Sequence, residues 1–126
     1  MSYSIFVQRF TQGQSAPLNE GLAREILRPY LVADQGEPLL IRAEDGGEAE
    51  VYGDSTGLMF DRPNWGEIFD IVADLAEQLG AVVVMPGSPT LMRSEADRED
   101  LPAELRDEAA VLEWTGSAIQ SVLKEA

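Results

Sequence analysis

The stretch Asn64–Gly87, NWGEIFDIVADLAEQLGAVVVMPG, carries in succession the signals of a helix, a helix stop and a buried strand. Asn64 and Glu67, three residues apart, predict a capping box, and Gly80 predicts a left-handed stop at the helix C-terminus. The valine-rich run 81–85 predicts a strand buried on both faces. Spacings of three and four, typical of the buried face of a helix, relate Ile68, Ile71, Val72, Leu75, Ala76 and Leu79.

The segment before this stretch predicts a strand followed by a helix. Residues 3–10 mix β-branched and aromatic side chains and indicate a strand well inside a sheet, and residues 11–17 read as a polar loop. Asn19 can cap the following helix, which should end or kink at Arg28 because Pro29 disfavours helical geometry in the residue before it. The buried face of this helix is expected to contain Leu22, Ile26, Leu27 and Tyr30.

A hairpin is predicted around Asp45-Gly46-Gly47, which separates the alternating segments 38–44 and 48–53. Leu58–Asp61 adds a short third strand to form a meander. Alternation gives the hairpin an apolar face with Leu39, Ile41, Ala43, Ala49 and Val51. It also predicts a wet face with Leu40, Arg42, Glu44, Glu48, Glu50 and Tyr52.

The last third of the chain predicts a loop, an acidic connection and a helix. Residues 86–89 form a rigid loop, residues 90–92 read as extended, and 94–100 is a polar surface segment. From Pro102 the pattern is helical, with apolar spacing through Leu105, Ala109, Leu112, Gly116, Ile119 and Leu123. Gly116 weakens a helix interior, so two helices with a break near Thr115 are the alternative.

The order β-α-β-β-β-α-β-α predicts an α+β fold in one domain, residues 1–126. We expect a two-layer sandwich whose antiparallel or mixed sheet is related to the ferredoxin-like arrangement. Because the strand 81–85 is apolar on both sides, the second sheet face needs a cover. The C-terminal helix is the preferred cover, and a second copy of the chain is the alternative.

Composition excludes several kinds of chemistry. The 126 residues include no cysteine and no histidine, which removes thiolate chemistry, the commonest zinc ligand and the commonest general base. The net charge of −14 argues against binding to nucleic acid or to an anionic membrane. No signal peptide and no apolar run of about 20 residues is evident, so a cytoplasmic protein is expected.

The negative charge is regional. Residues 1–43 carry four acids and four arginines, whereas residues 44–113 carry 18 acids and four arginines, which gives 4 − 18 = −14. Such acidity serves solubility or reflects a source with high salt or GC-rich DNA, or it forms a surface that attracts a basic partner. Asp70, Asp74 and Glu77 share one helix stripe, which reads as a solvated face and not as a cage for a cation. No metal, cofactor or catalytic residue is predicted.

Three segments, Asp45–Gly53, Leu58–Asp61 and Gly87–Leu91, resemble a group of short, acidic, uncharacterised bacterial proteins with this order of elements. The resemblance implies a single α+β domain and supplies no catalytic residue. In size and acidity the chain is also similar to many immunity and antitoxin proteins.

These observations lead to one preferred function and two alternatives. The preferred function is a non-enzymatic interaction module that binds and inhibits a basic protein through the 44–54 hairpin and the 94–108 segment. The alternatives are a small-ligand or carboxylate-based enzymatic site near Pro86–Thr90 and a homodimeric structural domain. The candidate partner-binding residues are Glu44, Glu48, Glu50, Tyr52, Glu95, Asp97, Glu99, Asp100, Glu104, Asp107 and Glu108.

Overall fold

The computed structural model describes residues 4–33, 38–53 and 56–125. These residues form four α-helices: α1 Glu20–Leu27, α2 Ile68–Leu79, α3 Ala103–Arg106 and α4 Gly116–Glu125. Short 3₁₀ helices span Arg28–Tyr30 and Glu95–Asp100. The strands are β1 Ser4–Thr11, β2 Gln14–Ala16, β3 Leu31–Ala33, β4 Leu39–Arg42, β5 Glu48–Gly53, β6 Gly57–Asp61, β7 Val82–Val84, β8 Leu91–Met92 and β9 Ala110–Val111.

The strands join in one sheet with the order β3-β4-β5-β6-β1-β7-β8-β9, and β2 pairs with the end of β1. All of these pairings are antiparallel except β8 with β9. The protein is therefore α+β with a large, mostly antiparallel sheet and helices, as predicted. The predicted hairpin and meander are confirmed, since Ile41 pairs with Ala49 and Val51 pairs with Phe60.

One face of the sheet, called the inner face here, is covered by helices α1 and α2. Its side chains Ile5, Val7, Ile41 and Phe60 are fully buried and belong to one cluster with the helices. All six apolar positions predicted for α2 are buried, and Phe69 and Ala73 are buried as well. Phe69 and Ala73 are buried because α4 packs against the side of α2 that the apolar spacing did not include.

Contacts of residues in and just before α4 and α2 hold the two helices together. The indole Nε1 of Trp114 donates to the carbonyl oxygen of Ala73 at 2.8 Å. The amide of Gly66 donates to Oε1 of Gln120 at 2.6 Å. A side chain at Gly116 would collide with the backbone of Phe69 and Asp70, so glycine permits the close approach of the two helices.

The predicted capping box is wrong, although the helix and its glycine stop are confirmed. Helix α2 begins at Ile68, and Asn64 Oδ1 instead accepts from the amide of Glu48 at 2.8 Å. Glu67 N donates to Asp45 Oδ2 at 3.0 Å, and Asp45 N donates to Glu67 Oε2 at 3.1 Å. The reciprocal cap therefore links α2 to the hairpin loop rather than to its own preceding turn. Gly80 has a φ of 67° and ends the helix as predicted.

Residues 11–17 are not only a loop, because they contain β2. The turn between β1 and β2 places Gln12 at φ 52° and Gly13 at φ 81°. Two successive positive φ values are typical of a tight hairpin turn, but Gln-Gly is a weaker signal for it than Asn-Gly. The helix predicted after Asn19 is confirmed: Asn19 Oδ1 accepts from Leu22 N at 3.0 Å, and α1 gives way to a 3₁₀ helix at Arg28.

The continuous helix predicted from Pro102 is wrong, and the alternative of two helices is closer, because α3 ends at Arg106 and α4 begins at Gly116, directly after Thr115. Between the two helices the chain forms β9 at the edge of the sheet. The apolar residues of this segment therefore belong to two different buried clusters. Leu105 and Ala109 join a second buried cluster with Val82, Met92 and Leu101. Leu112, Ile119 and Leu123 join the first cluster. A spacing of three and four cannot reveal such a division, because it counts apolar residues without locating their partners.

The opposite face of the sheet, called the outer face here, is covered only in part by described residues. The second cluster places the 94–109 segment over the β7 side of this face, against Val84 and Phe10. The prediction that the C-terminal helix covers this face is wrong for α4, which packs on α2, whereas Leu105 and Ala109 from the start of the predicted helix do cover the β7 side. The outer face of β4, β5 and β6 keeps half-buried side chains, and it includes the wet face predicted for the hairpin.

Candidate protein-interaction surface

An apolar row crosses the part of the outer face that the described residues leave uncovered. Tyr52 of β5 pairs with Met59 of β6, Met59 pairs with Phe6 of β1, and Phe6 pairs with Val84 of β7. All four side chains are half-buried. Phe6 and Met59 belong to neither of the two buried clusters, whereas Val84 packs against the second. Phe6, Tyr52 and Met59, together with Leu58 and the polar side chains of Gln8 and Thr56, line a shallow hollow of about 270 Å³, called the apolar hollow below.

An acidic row lies beside the apolar row. Glu50 of β5 pairs directly with Asp61 of β6, so two carboxylates face the same side of adjacent strands. Together with Glu48, Leu40 and Arg62 they line a second hollow of about 210 Å³, called the acidic hollow below. Like charges opposite each other in a sheet repel, so this arrangement favours an incoming cation.

Arginines neutralise part of this acidic row. Arg42 Nε donates to Glu48 Oε2 at 2.7 Å, so Glu48 is already paired. Asp61 lies 3.6 Å from Nε of Arg62, whose side chain is 66% exposed, and also accepts from Ser4 Oγ at 3.3 Å. Glu50 makes no ion pair with any residue that the structure describes. Among Glu48, Glu50 and Asp61, Glu50 is therefore the least compensated acid.

Glu44 is separated from the other hairpin acids. It lines a different hollow on the helical side of the sheet, with Tyr30, Glu67, Asp70 and Asp74. The negative charge of residues 44–113 is consequently divided between two sides of the protein. The prediction grouped Glu44 with Glu48 and Glu50 because alternation was extended beyond Arg42, where β4 ends.

The acids of the 94–108 segment lie on the cover of the outer face, and two of them have structural roles. Glu95 is bound by both ends of the Arg98 guanidinium, which lowers the pKa of Glu95 and raises that of Arg98. Asp100 Oδ1 accepts from Gln12 N at 3.2 Å and ties the segment to the β1–β2 turn. The remaining predicted acids are at least partly exposed: Asp97, Glu99, Glu104, Asp107 and Glu108.

The alternative site near Pro86–Thr90 is a tight turn. Ser88 N donates to Met85 O at 3.0 Å, and Gly87 has a φ of 83°. Thr90 is buried, and its carbonyl accepts from Ala110 N at 2.8 Å. The hydroxyl of Ser88 is buried and has no hydrogen-bond partner among the described residues. None of the hollows named above is lined by this loop.

Three residues of the outer face were not predicted as part of the surface: Phe6, Met59 and Asp61. Both strands that carry them are predicted from the sequence, but the pairing of β1 with β6 is not. Once the hairpin fixes the register of the meander, period-two alternation places Met59 and Asp61 beside Tyr52 and Glu50. The signal was therefore present for Met59 and Asp61, whereas Phe6 needs the long-range pairing of β1 with β6.

Within residues 4–33, 38–53 and 56–125, no three acidic side chains converge as metal ligands would. None of the helices in the same ranges has the length and apolar character that crossing a membrane requires. No protein-family model matches this chain, and no curated protein and no solved structure matches it either.

Proposed function

We propose that this chain is a non-enzymatic interaction module that binds a basic protein through its outer face and inhibits it, in the manner of an immunity or antitoxin protein. The observation that carries the proposal is the acidic row Glu50–Asp61 next to the half-buried apolar row of Tyr52, Met59 and Phe6. The exposed acids of the 94–108 segment border the same face and extend its negative field.

Physical reasons favour binding over solubility alone. Charge spread over any exposed surface keeps a protein soluble, whereas partner recognition needs charge beside apolar contact area. Aromatic residues next to charged residues are typical of the side chains that dominate interface energies. Tyr52 and Met59 provide such contact area directly beside Glu50 and Asp61.

The test is capture of proteins from the lysate of the source cell by the immobilised chain. Wild type is compared with the double variant Glu50→Gln/Asp61→Asn and with Glu25→Gln/Glu113→Gln, which removes the same charge from exposed positions elsewhere. We expect wild type and the control to retain a basic protein at low salt. The outer-face variant should lose it, and so should wild type at 1 M salt, where the Debye length falls to about 3 Å.

The results that contradict the proposal are equally concrete. Capture that persists at 1 M salt, or equal loss of capture in both double variants, would show that the acidic row does not mediate binding. Recovery of no basic protein would show that the partner class is wrong. Inhibition is then tested by adding the chain to the captured protein and measuring that protein's own activity.

Five further predictions from the sequence are proposed together with this function. They are a ferredoxin-like relation of the two-layer fold, a single domain, a cytoplasmic location, a bacterial source and the absence of a nucleic-acid partner. The binding role requires only that the outer face is accessible in the cell. A homodimer formed through that face would block it, so sizing of the protein at low concentration separates the two possibilities.

A further inference from the structure

The apolar hollow and the acidic hollow lie side by side along the same two strands. Tyr52 follows Glu50 by two residues on β5, and Asp61 follows Met59 by two residues on β6. Since a strand rises about 3.4 Å per residue, the two rows are roughly 7 Å apart. A partner segment that uses both hollows must therefore present two side chains on one face at this spacing.

The chemistry of each hollow selects a different side chain. Phe6, Met59 and the ring of Tyr52 offer apolar and aromatic surface, which suits a large apolar side chain. Glu50 and Asp61 offer neighbouring carboxylates, which suit a planar guanidinium with several donors better than a compact ammonium.

We infer that the partner docks an extended segment with an arginine in the acidic hollow and a large apolar side chain, two residues away, in the apolar hollow. Positions i and i+2 of an extended chain point to the same side at the spacing of the two rows. The inference rests on the proposed function, and it adds the conformation and the residue pattern of the bound segment.

Charge argues against a second copy of the chain as the occupant. A two-fold contact between outer faces brings the Glu50–Asp61 rows of both copies into the same interface. The two arginines described at these strands, Arg42 and Arg62, already face Glu48 and Asp61. A copy therefore brings little unpaired positive charge to the acidic hollow, whereas an arginine-bearing partner does.

The direct test uses synthetic peptides and the ¹H–¹⁵N NMR spectrum of the full chain. One peptide carries Arg-Thr-Phe in a Ser/Thr background, a second carries Thr-Arg-Phe, and a third carries Glu-Thr-Phe. We expect the first peptide to shift amide signals of β5, β6 and β1 and to bind most tightly. In the second peptide the two side chains point to opposite sides of an extended segment, and in the third the charge is reversed.

Two variants separate the two hollows. Glu50→Gln/Asp61→Asn should weaken the first peptide roughly 2- to 30-fold at low salt, which is the range expected for two exposed ion pairs. Met59→Thr, which keeps a strand-forming residue, should weaken the same peptide at any salt concentration. Glu25→Gln/Glu113→Gln is the control for net charge, and thermal unfolding verifies that each variant is folded.

Equal affinity for the Arg-Thr-Phe and Thr-Arg-Phe peptides, or no effect of Met59→Thr, overturns the inference. That result leaves the proposed function standing if the lysate experiment still shows salt-sensitive capture of a basic protein. Shifts at β5 and β6 that depend on protein concentration without peptide, with a dimer in sedimentation, assign the outer face to a second copy and overturn both.

Discussion

Replacement of Gly116 by alanine tests whether α4 packs on α2, which is the arrangement that leaves the outer face open. Gly116 is the first residue of α4, and it lies against the backbone of α2 at Phe69 and Asp70. A Cβ atom at this position would lie 2.6 Å from the carbonyl carbon of Phe69. This is about 1 Å shorter than the usual carbon–carbon contact of roughly 3.5–4.0 Å, so the two helices must move apart.

Two opposing effects decide the magnitude. Overpacking of this kind costs about 1–3 kcal/mol. Alanine is a better helix former than glycine by up to about 1 kcal/mol, and by less at the first residue of a helix. We therefore expect a net loss of about 1–2 kcal/mol in the free energy of unfolding. For a chain of this length the melting temperature should fall by roughly 3–10 °C.

Gly21 of α1 provides a matched control. It also lies in the first turn of a helix, but the nearest atom to its added Cβ is Asn19 Oδ1 at an ordinary 3.6 Å. Gly21→Ala should stabilise the protein by about 0.4–1 kcal/mol, because it restricts only the unfolded chain. Urea denaturation with unchanged slopes gives both values. If Gly116→Ala raises the midpoint as much as Gly21→Ala does, α4 does not approach α2 as described, and the open outer face loses its basis.

Three other predictions address the non-local contacts. Hydrogen bonds from the amides of Glu67 and Gly47 lower the pKa of Asp45 below its usual 3.8. The Asp45 carboxylate therefore stabilises the fold above the unfolded-state pKa, and this stabilisation is lost as the pH falls through the lower folded-state pKa. The stability difference between wild type and Asp45→Asn, measured in urea, should therefore shrink below pH 3.8; a pH-independent difference contradicts this. Gln12→Asn should raise the melting temperature, since Asn-Gly suits the positive φ values of the β1–β2 turn; a lower value contradicts the turn geometry. Leu101→Ala should lower the free energy of unfolding by about 2–5 kcal/mol and speed hydrogen exchange at the amide of Gly13, which donates to Asp100 O. Unchanged exchange would show that Leu101 does not support that hydrogen bond.

The features that could be predicted from the sequence are those set by near neighbours. The hairpin around Gly46, the buried side of α2 and the stop at Gly80 each depend on residues within a few positions of one another. The strand around Val83 was found because its residues are apolar whichever face they occupy. Local propensity and periodicity contain all of this information.

The features that escaped prediction depend on residues far apart in the chain. Asp45 and Glu67 are 22 residues apart, and their reciprocal cap exists only because the hairpin loop meets the start of α2. Gly116 indicates a break near Thr115, but the length of the break and the strand β9 within it follow from the two buried clusters on opposite faces of the sheet, which compete for the apolar residues of one segment. No periodicity within that segment reveals which cluster each residue joins.

The candidate surface lies between these two cases. Glu50 and Tyr52 were assigned to the wet side of the hairpin by alternation alone, and the structure places both on the outer face. Asp61 follows from the predicted meander once its register with β5 is fixed, whereas Phe6 could not be added without the pairing of β6 with β1. Conversely, Glu95 and Asp100 were included because they are acidic, although Arg98 and the β1–β2 turn engage them.

The position of Glu50 and Asp61 also bears on why the chain is so acidic. Two carboxylates directly opposite each other in a sheet destabilise it, by an amount on the order of 0.2–1 kcal/mol. Acids on a helix face carry a comparable cost, since Asp74 and Glu77 are neighbours three residues apart on α2. What distinguishes the acidic row is its place on the part of the sheet that the described residues leave uncovered, next to the half-buried Met59. Because a bound cation would remove the repulsion between the two carboxylates, the same pair that weakens the free protein would strengthen the complex, and this favours a partner over solubility as the reason for the charge.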